Sequence, residues 1–320
     1  MKRFIKRIFV FSLLTFIMLI GIIVLSNILI NKDSNFSIDK NNAYIVLGHS
    51  HPEEAFNDSI IQKTKNFARG GEHYFYTYLK AKKIIESNPQ IKVIFLELTN
   101  NQISTDMTKW IEDTQKNLVH IPNFAPVMTF EDHSFLIKQN PWSYFKSQEM
   151  VIKNNLNFLL YRKKNILDQR DWGGFYANHR QKVDSIIKSS NEKQKVKTNS
   201  MKIEVDTTNL FFVDKIASIC KNKGIKLFLI RSPQHSKYAY CENEEQLQKI
   251  LKTRYSQLFY LDFEKFYLLN DDYADLEHLN YKGAKKFSLF FDSLLKKGLV
   301  ESSNPERLVK DEILKHNTVK

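Results

Sequence analysis

Two short polar segments hold the residue types of a serine nucleophile and of the histidine that would activate it. Residues 48–52 read GHSHP, and residues 275–278 read DLEH. Serine becomes a strong nucleophile when a neighbouring histidine takes its proton. An aspartate three residues before a histidine can bind the other ring nitrogen and fix the tautomer. We therefore expect Ser50 to be the nucleophile, His278 its general base and Asp275 the residue that orients the base.

Both segments adjoin predicted elements that would bring them together. Residues 43–48 form a short apolar run ended by glycine, which indicates a buried strand directly before Ser50. Catalytic groups in open α/β sheets gather at the carboxyl ends of the strands. Further strands are predicted at residues 66–71, 91–98, 225–232 and 257–263, and helices at residues 73–87, 209–222 and 281–297. This alternation predicts an α/β fold, a three-layer sandwich around a mostly parallel sheet.

In their order and placement, these motifs resemble those of the SGNH, or GDSL-like, hydrolase superfamily. Ser50 stands where that family has the serine of a Gly-Asp-Ser block, although His49 replaces the aspartate. Asp275 and His278 match the family's final D-x-x-H block in full. The resemblance therefore implies a serine hydrolase with a Ser-His-Asp triad.

The same resemblance implies an oxyanion hole, and it covers about residues 43–100 and 206–297. Its donors would be the Ser50 amide, a glycine of a second block and an asparagine of a third. The candidates at these places are Gly70, Gly71, Asn100 and Asn101.

His49 and His51 flank the candidate nucleophile, and three interpretations of them stay open. Residues two apart in extended chain point to the same side, so with Asp275 or His278 they could form an open, hydrolytic zinc site. One of them could instead orient or contact the substrate, or both could serve only the loop. We assign no metal and no cofactor. Glu97, at the end of the third predicted strand, is a candidate buried partner near this site.

A charge-free run at residues 8–30 predicts a transmembrane anchor. As a helix it spans roughly 35 Å, and it lacks the small-residue cleavage pattern of a secretory signal. Basic residues in segment 1–7 place the amino terminus in the cytoplasm and the rest of the chain outside it. We therefore expect a single-pass protein of the cytoplasmic membrane, with its carboxyl-terminal domain in the periplasm or on the cell surface.

The amino-acid composition and the missing motifs limit the kinds of molecule that the chain is expected to bind. The 48 Lys and Arg residues exceed the 35 Asp and Glu residues, giving a net charge of +13. The lysines are scattered, so we expect a solvated surface and no nucleic-acid partner. The chain has neither the G-x-G-x-x-G nor the G-x-x-x-x-G-K-[ST] fingerprint of nucleotide binding.

The remaining segments complete the predicted organisation. Residues 31–42 read as a polar stalk, 43–300 as the α/β domain and 301–320 as a polar tail. Residues 101–205 are less regular and are interpreted as an inserted, partly helical region. Within them Trp172, beside two glycines, is a candidate surface for stacking against a sugar. Cys220 and Cys241 could form one bridge or none.

The anchor and the motifs together resemble the membrane-anchored SGNH-like proteins of alginate acetylation and of D-alanylation of teichoic acid. This implies an esterase or O-acyltransferase, acting on an acyl ester of an envelope or extracellular polysaccharide, with an acyl-exporting membrane partner. Water as acceptor would give hydrolysis, and a sugar hydroxyl would give transfer. Two alternatives stay open: a non-catalytic envelope-assembly protein that keeps the fold, and a metal-dependent hydrolase using His49 and His51.

Overall fold

The computed structural model describes residues 1–33, 36–161, 172–193, 205–238 and 243–318. They fall into two compact units. The helical unit comprises Met1–Phe36 and Ile111–Asp171, and the α/β unit comprises Ser37–Trp110 and Trp172–Lys320.

Five parallel strands form the sheet of the α/β unit, in the order β2-β1-β3-β4-β5. The three inner strands β1, β3 and β4 are short and rich in buried apolar residues, as expected for a parallel sheet with both faces covered. The edge strand β2 instead reads Thr-Lys-Asn and lies ahead of the strand predicted at residues 66–71. The register sets Leu47 beside Leu96, Glu97 beside Ile230, and Arg231 beside Asp262. The carboxyl ends of four strands therefore meet along one edge. The strands are β1 (Tyr44–Leu47), β2 (Thr64–Asn66), β3 (Val93–Glu97), β4 (Lys226–Arg231) and β5 (Phe259–Asp262).

Helices flank this sheet, so the predicted α/β class with a parallel sheet is confirmed. Phe287 and Phe291 of α11 pack against aromatic rings of the sheet region, including Phe95 and Phe263. Helix α3 packs on α9, which also contacts β4. The helices in chain order are α1 (Lys2–Asp33), α2 (Ser50–Ala55), α3 (Tyr74–Ser87), α4 (Asp106–Glu112), α5 (Thr114–Phe124), α6 (Phe130–Gln139), α7 (Pro141–Tyr161), α8 (Val183–Lys193), α9 (Thr207–Lys223), α10 (Glu244–Thr253), α11 (Tyr281–Lys296) and α12 (Pro305–Thr318).

The ends of α9 and α11 follow from local chemistry. The Asp206 side chain accepts a hydrogen bond from the Asn209 amide and caps the start of α9. Helix α9 ends at Gly224, whose φ of +66° is the left-handed conformation that glycine adopts readily. Asn280 caps α11 by accepting from the amides of Lys282 and Gly283. This cap fixes where α11 begins, directly after the DLEH segment.

The helical unit contains one helix, α1, that is long and apolar enough to cross a membrane. Near the end of its apolar run, the side chain of Asn155 on α7 donates to Ser26 Oγ at 2.9 Å and to Asn27 Oδ1 at 2.7 Å. Because these polar groups are buried, their mutual hydrogen bonds avoid an unmet desolvation cost. Helix α7 packs on α1 and α5 within this unit.

The boundaries predicted for the stalk, the α/β domain and the tail stay predictions. The structure shows how several residues of these segments pack. In the segment read as a stalk, Ile38 is buried and its amide donates to Asn88 Oδ1. The segment read as a tail holds α12, whose Val309 and Ile313, one helical turn apart, join the core of the α/β unit. Cys220 is buried, and burial raises the pKa of its thiol to about 12. Cys241 lies outside the described residues.

Candidate active site

Ser50 is placed by a tight turn between β1 and α2. Gly48 has a φ of +147°, a conformation that residues with a side chain rarely adopt. A Cβ atom there would lie 2.6 Å from Glu97 Cβ and 2.7 Å from Pro52 Cγ. Glycine therefore lets the chain turn closely over the end of β3, and Ser50 begins α2 at the carboxyl edge of the sheet.

The three residues predicted to form a triad are brought together. His278 Nε2 lies 2.8 Å from Ser50 Oγ, and His278 Nδ1 lies 2.9 Å from Asp275 Oδ1. The same aspartate oxygen accepts the backbone amides of Glu277 and His278, both at 2.9 Å. Burial alone would raise the pKa of Asp275, but these hydrogen bonds outweigh it and lower the pKa below its ordinary value. The aspartate is thus held as an anion that can orient the imidazole.

His49 is directed at the backbone of the turn, not at solvent. Its Nδ1 accepts the Ser50 amide at 2.8 Å, and its Nε2 contacts the side-chain amide of Gln102. Burial lowers the pKa of His49 to about 4, although Glu97 opposes the shift, so the ring is neutral at pH 7. Because His49 is only 3% exposed, the arrangement fits an orienting role and not contact with substrate.

Glu97 lies beneath the turn, where the sequence placed a buried partner. It is fully buried at the end of β3. Its Oε2 accepts the His49 amide at 2.9 Å, and its Oε1 lies 3.0 Å from His51 Nδ1. Burial would raise the pKa of Glu97, but the two imidazoles and the amide outweigh it and lower the pKa. Glu97 therefore binds the backbone before Ser50 and the side chain after it.

The candidate oxyanion donors are already hydrogen-bonded within the protein. The Ser50 amide donates to His49 Nδ1, and the Gly70 amide donates to Glu53 Oε2 at 2.8 Å. A Cβ atom at Gly70 would lie 3.4 Å from Ser50 Cβ, so the two residues are in close contact. Gly71 follows in the left-handed region, with φ of +72°.

The two candidate asparagines face other partners. Asn100 donates through Nδ2 to Asn243 Oδ1 at 3.0 Å and to Glu244 Oε2 at 2.9 Å, and its Oδ1 accepts from Arg231. In this arrangement the side-chain N–H groups of Asn100 are bonded within the protein, and its role as an oxyanion donor stays a prediction. The neighbouring Asn101 accepts through Oδ1 from the Tyr238 hydroxyl at 3.3 Å, and its donor role stays a prediction.

Trp172 is fully buried, which contradicts its expected role as a sugar-stacking surface. The glycines beside it serve packing: a Cβ at Gly173 would lie 2.4 Å from the carbonyl oxygen of Phe67. The Gly174 amide donates to the carbonyl of Ala68 at 3.1 Å. The Trp172 segment therefore packs closely against the chain that leads to Gly70.

Sequence reasoning missed three carboxylates near Ser50. Glu53 and Glu54 lie one turn further along α2, and Glu277 lies within the DLEH segment. Burial raises the pKa of Glu53 to about 7, although the Gly70 amide opposes the shift. Glu54, whose pKa burial also raises, accepts from Asn178 Nδ2 at 2.7 Å. The spacing of three from Ser50 to Glu53 was the available signal, because it puts both on one face of a helix.

Two overlapping groups of side chains have the donor atoms of a metal site. One is His49, His51 and Glu97, and the other is His51, Glu277 and His278. One nitrogen in each group is already hydrogen-bonded, since His49 Nδ1 accepts the Ser50 amide and His278 Nε2 faces Ser50 Oγ. His51 Nε2, in contrast, is buried without a hydrogen-bond partner among the residues that the structure describes. The geometry thus fits a hydrogen-bonded network that a metal would have to disrupt.

The fold and the site together define an α/β protein with a Ser-His-Asp arrangement at the carboxyl edge of a parallel sheet. A protein-family model whose description names no activity matches residues 174–300, which is less than half of the chain. No curated protein matches the sequence. Among solved structures, a Bacteroides fragilis protein assigned as an acylhydrolase is similar, with a TM-score of 0.34 and 9% identity over 84% of this chain and 91% of its own. A likeness this distant carries no argument about activity.

Proposed function

We propose that the protein is an SGNH-like serine esterase or O-acyltransferase that acts on an acyl ester of a cell-envelope or extracellular polysaccharide. The observation that carries the proposal is the unbroken chain of contacts from Ser50 Oγ to His278 Nε2 and from His278 Nδ1 to Asp275. These distances lie within the range for a general base and its orienting group.

In the proposed reaction, Ser50 Oγ attacks the ester carbonyl while His278 Nε2 takes the hydroxyl proton. The carbonyl π electrons move to oxygen, and the tetrahedral intermediate then collapses with loss of the alcohol, which takes the proton from His278. Water or a sugar hydroxyl next attacks the acyl-Ser50 ester, again losing its proton to His278. Return of that proton to Ser50 Oγ releases the acid or the acylated sugar.

The proposed oxyanion contacts are the backbone amides nearest to Ser50. Gly70 lies beside Ser50, but its N–H must first leave Glu53 before it can donate to a substrate oxygen. The resting site is thus closed at this donor.

We also propose that α1 anchors this chemistry at the cytoplasmic membrane. Its apolar run follows the basic residues Lys2, Arg3, Lys6 and Arg7, so the bias of positive charge toward the cytoplasm puts the α/β unit on the outer side. An acyl-exporting membrane protein is the proposed partner for a transferase. Cell fractionation should leave the protein in the membrane until detergent is added, and release without detergent would contradict the anchor.

The test is hydrolysis of p-nitrophenyl acetate by the full chain in mild detergent. Ser50→Ala and His278→Ala should each lower kcat by about 10³-fold or more, whereas Ser59→Ala, at an exposed turn serine, should not. Activity that survives both substitutions would refute the triad. Adding a polysaccharide acceptor distinguishes transfer from hydrolysis, because transfer yields acylated sugar.

A non-catalytic assembly or binding protein is the second candidate, and the internally bonded donors favour it. His49 in place of the family's aspartate also favours it. A fluorophosphonate probe separates the two because it needs an activated serine but no specific acyl group. Labelling that is lost in Ser50→Ala supports the enzyme, and a parent that is neither labelled nor active supports the binding protein.

A further inference from the structure

His51 is buried between two carboxylates from distant parts of the chain. Its exposed fraction is 2%. Its Nδ1 lies 3.0 Å from Glu97 Oε1, and its Nε2 lies 3.7 Å from Glu277 Oε2. A neutral imidazole carries only one N–H, whereas the imidazolium can present one to each carboxylate. The surroundings therefore favour the charged ring.

The first carboxylate, Glu97, belongs to the rigid side of the site. It ends β3 at the centre of the sheet and also binds the His49 amide. Removing one partner of a buried ion pair leaves an uncompensated charge, which is strongly unfavourable. The His51 ring is thus tied to the element that carries Ser50.

The second carboxylate belongs to the segment that carries the base. Glu277 directly precedes His278, and its side chain is 40% exposed. The His51 ring also lies against the His278 ring, with centroids 5.2 Å apart. One charged side chain therefore spans from the sheet to the residue next to the general base.

Three other groups near His51 complete its surroundings among the described residues. The carboxylate of Glu54 is one of them, and the His51 charge opposes the rise in its pKa. The neutral His49 ring lies at 4.8 Å between centroids, and Gln234 Nε2 lies 3.3 Å from His51 Nδ1. Burial by itself would lower the pKa of His51, but the nearby carboxylates of Glu277 and Glu97 outweigh it and raise the pKa to about 9. The bridge should therefore be charged at pH 7 and be lost as the pH rises through about 9.

We propose that His51 is a positioning residue for the Ser50 chemistry, which bridges Glu97 and Glu277 and so holds His278 Nε2 at Ser50 Oγ. The inference rests on the proposed function. The residues of the bridge come from three places, namely α2, the end of β3 and the segment before α11. Loss of the bridge would leave Asp275 and His278 paired but free to shift together, and a misplacement of about 1 Å can cost about 10²-fold in rate.

The test compares His51→Gln, which keeps a polar side chain but cannot carry the charge, with His133→Gln in the helical unit. His51→Gln should lower kcat for p-nitrophenyl acetate by about 10- to 100-fold with KM changed less than about twofold. The parent and His133→Gln should lose kcat above pH 9, whereas His51→Gln should lack this alkaline limb. An unchanged kcat and an unchanged alkaline limb would overturn the proposal.

Glu277→Gln gives a second variant, at a half-exposed position where folding is less at risk. It should reproduce the loss in kcat, and the double variant with His51→Gln should be no worse than either single change, because all three remove the same bridge. Losses that multiply would show that His51 does not act through Glu277. Circular dichroism checks that each variant is folded.

A measurement without turnover separates this inference from the proposed function. Proton NMR of the full chain follows the low-field signal of the His278 Nδ1 proton shared with Asp275. The signal should shift or broaden in His51→Gln and Glu277→Gln and stay unchanged in His133→Gln and Ser59→Ala. If Ser50→Ala shows that the chemistry does not use the triad, a shifted signal still supports the bridge. An unchanged signal refutes it whether or not the protein is active.

Discussion

Removing the Glu53 carboxylate should activate the proposed enzyme, because that carboxylate accepts the hydrogen bond of the Gly70 amide, and Gly70 lies beside Ser50. The Gly70 N–H donates to Glu53 Oε2 at 2.8 Å. A Cβ atom at Gly70 would lie 3.4 Å from Ser50 Cβ. A substrate oxygen can use this donor only after Glu53 has left it. The carboxylate would also repel the negative charge that develops on that oxygen.

The size of the effect follows from the strength of this hydrogen bond. A hydrogen bond to a charged group contributes about 1.5 to 3 kcal/mol, and each 1.36 kcal/mol corresponds to about tenfold in rate. Glu53→Ala should therefore raise kcat/KM by about 10- to 150-fold at pH 8. This gain does not exceed what one oxyanion donor contributes, about 10² to 10³ in kcat.

The sign of the pH dependence follows from the pKa of Glu53, which burial raises to about 7. Above pH 7 the parent has the ionised carboxylate and the strong bond to Gly70. Below pH 7 the carboxyl is protonated, and a bond between neutral groups contributes only about 0.5 to 1.5 kcal/mol. The advantage of Glu53→Ala over the parent should therefore be large at pH 8 and small at pH 6.

The assay is hydrolysis of p-nitrophenyl acetate at both pH values, with Glu54→Gln as the control. Glu54 is the adjacent carboxylate, but its partner is Asn178 and not an amide beside Ser50. Glu54→Gln removes a charge that helps to raise the pKa of Glu53, so it should shift the pH dependence of kcat/KM toward lower pH without raising kcat/KM at pH 8. If Glu53→Ala is no faster than the parent at pH 8, Gly70 is not an oxyanion donor and the reasoning fails.

Three further substitutions test what holds the site in place, each by urea unfolding of the full chain in detergent. Gly48→Ala should destabilise the fold by about 2 to 5 kcal/mol, because its Cβ would lie 2.6 Å from Glu97 at a φ of +147°; a loss below about 1 kcal/mol would contradict the close approach. Asn280→Ala should cost about 1 to 2 kcal/mol, because it removes the cap of α11; unchanged stability would mean that the cap is replaced. Lys80→Met should cost about 3 to 5 kcal/mol, because Glu72 Oε1, 2.8 Å from Lys80 Nζ, is fully buried; adding Glu72→Gln should restore part of this loss, and no recovery would refute the pairing.

Most of the sheet could be predicted from sequence because β1, β3 and β4 are nearly continuous apolar runs between turn residues. The edge strand β2, Thr64–Asn66, has no apolar residue and was predicted too late in the chain, at residues 66–71. Residues 91–98 enclose β3, and residues 225–232 enclose β4. The predicted helix at residues 281–297 matches α11 to within one residue, since Asn280 caps its start and Lys297 caps its end. The apolar runs of β3 and β4 are too short for typical helices and are bounded by turn residues, and these two features indicate strands.

The triad could be predicted because its members depend on local spacing and on strand order. Ser50 follows β1 directly, and the distance from Asp275 to His278 is set within one turn of chain. The bridge through His51 could not be predicted in the same way. The bridge requires the side chains of Glu97 and Glu277 to contact His51 from opposite sides. The local sequence of neither segment specifies this tertiary contact.

The prediction for Trp172 was wrong. The neighbouring glycines suggested an exposed aromatic ring, but packing buries the side chain. A tryptophan beside two glycines reads as a flexible aromatic loop. In the structure Gly173 is needed so that the backbone can approach the carbonyl of Phe67, and the ring is fully buried. A glycine in the sequence indicates a backbone position with conformational freedom. It does not show whether the position is a turn or a close contact between chain segments.

The charge of the whole chain is a poor guide to the field at the site. The net charge is +13, yet the side chains grouped around Ser50 include Glu53, Glu54, Asp275 and Glu277. Like charges this close cannot all be ionised without compensation. The structure compensates in two ways: His51 carries a positive charge between carboxylates, and Glu53 binds its proton up to about pH 7. The ionisation of this cluster is therefore balanced near neutral pH. Under the proposals above, the charge of His51 controls the placement of His278, and the charge of Glu53 controls access to the Gly70 amide.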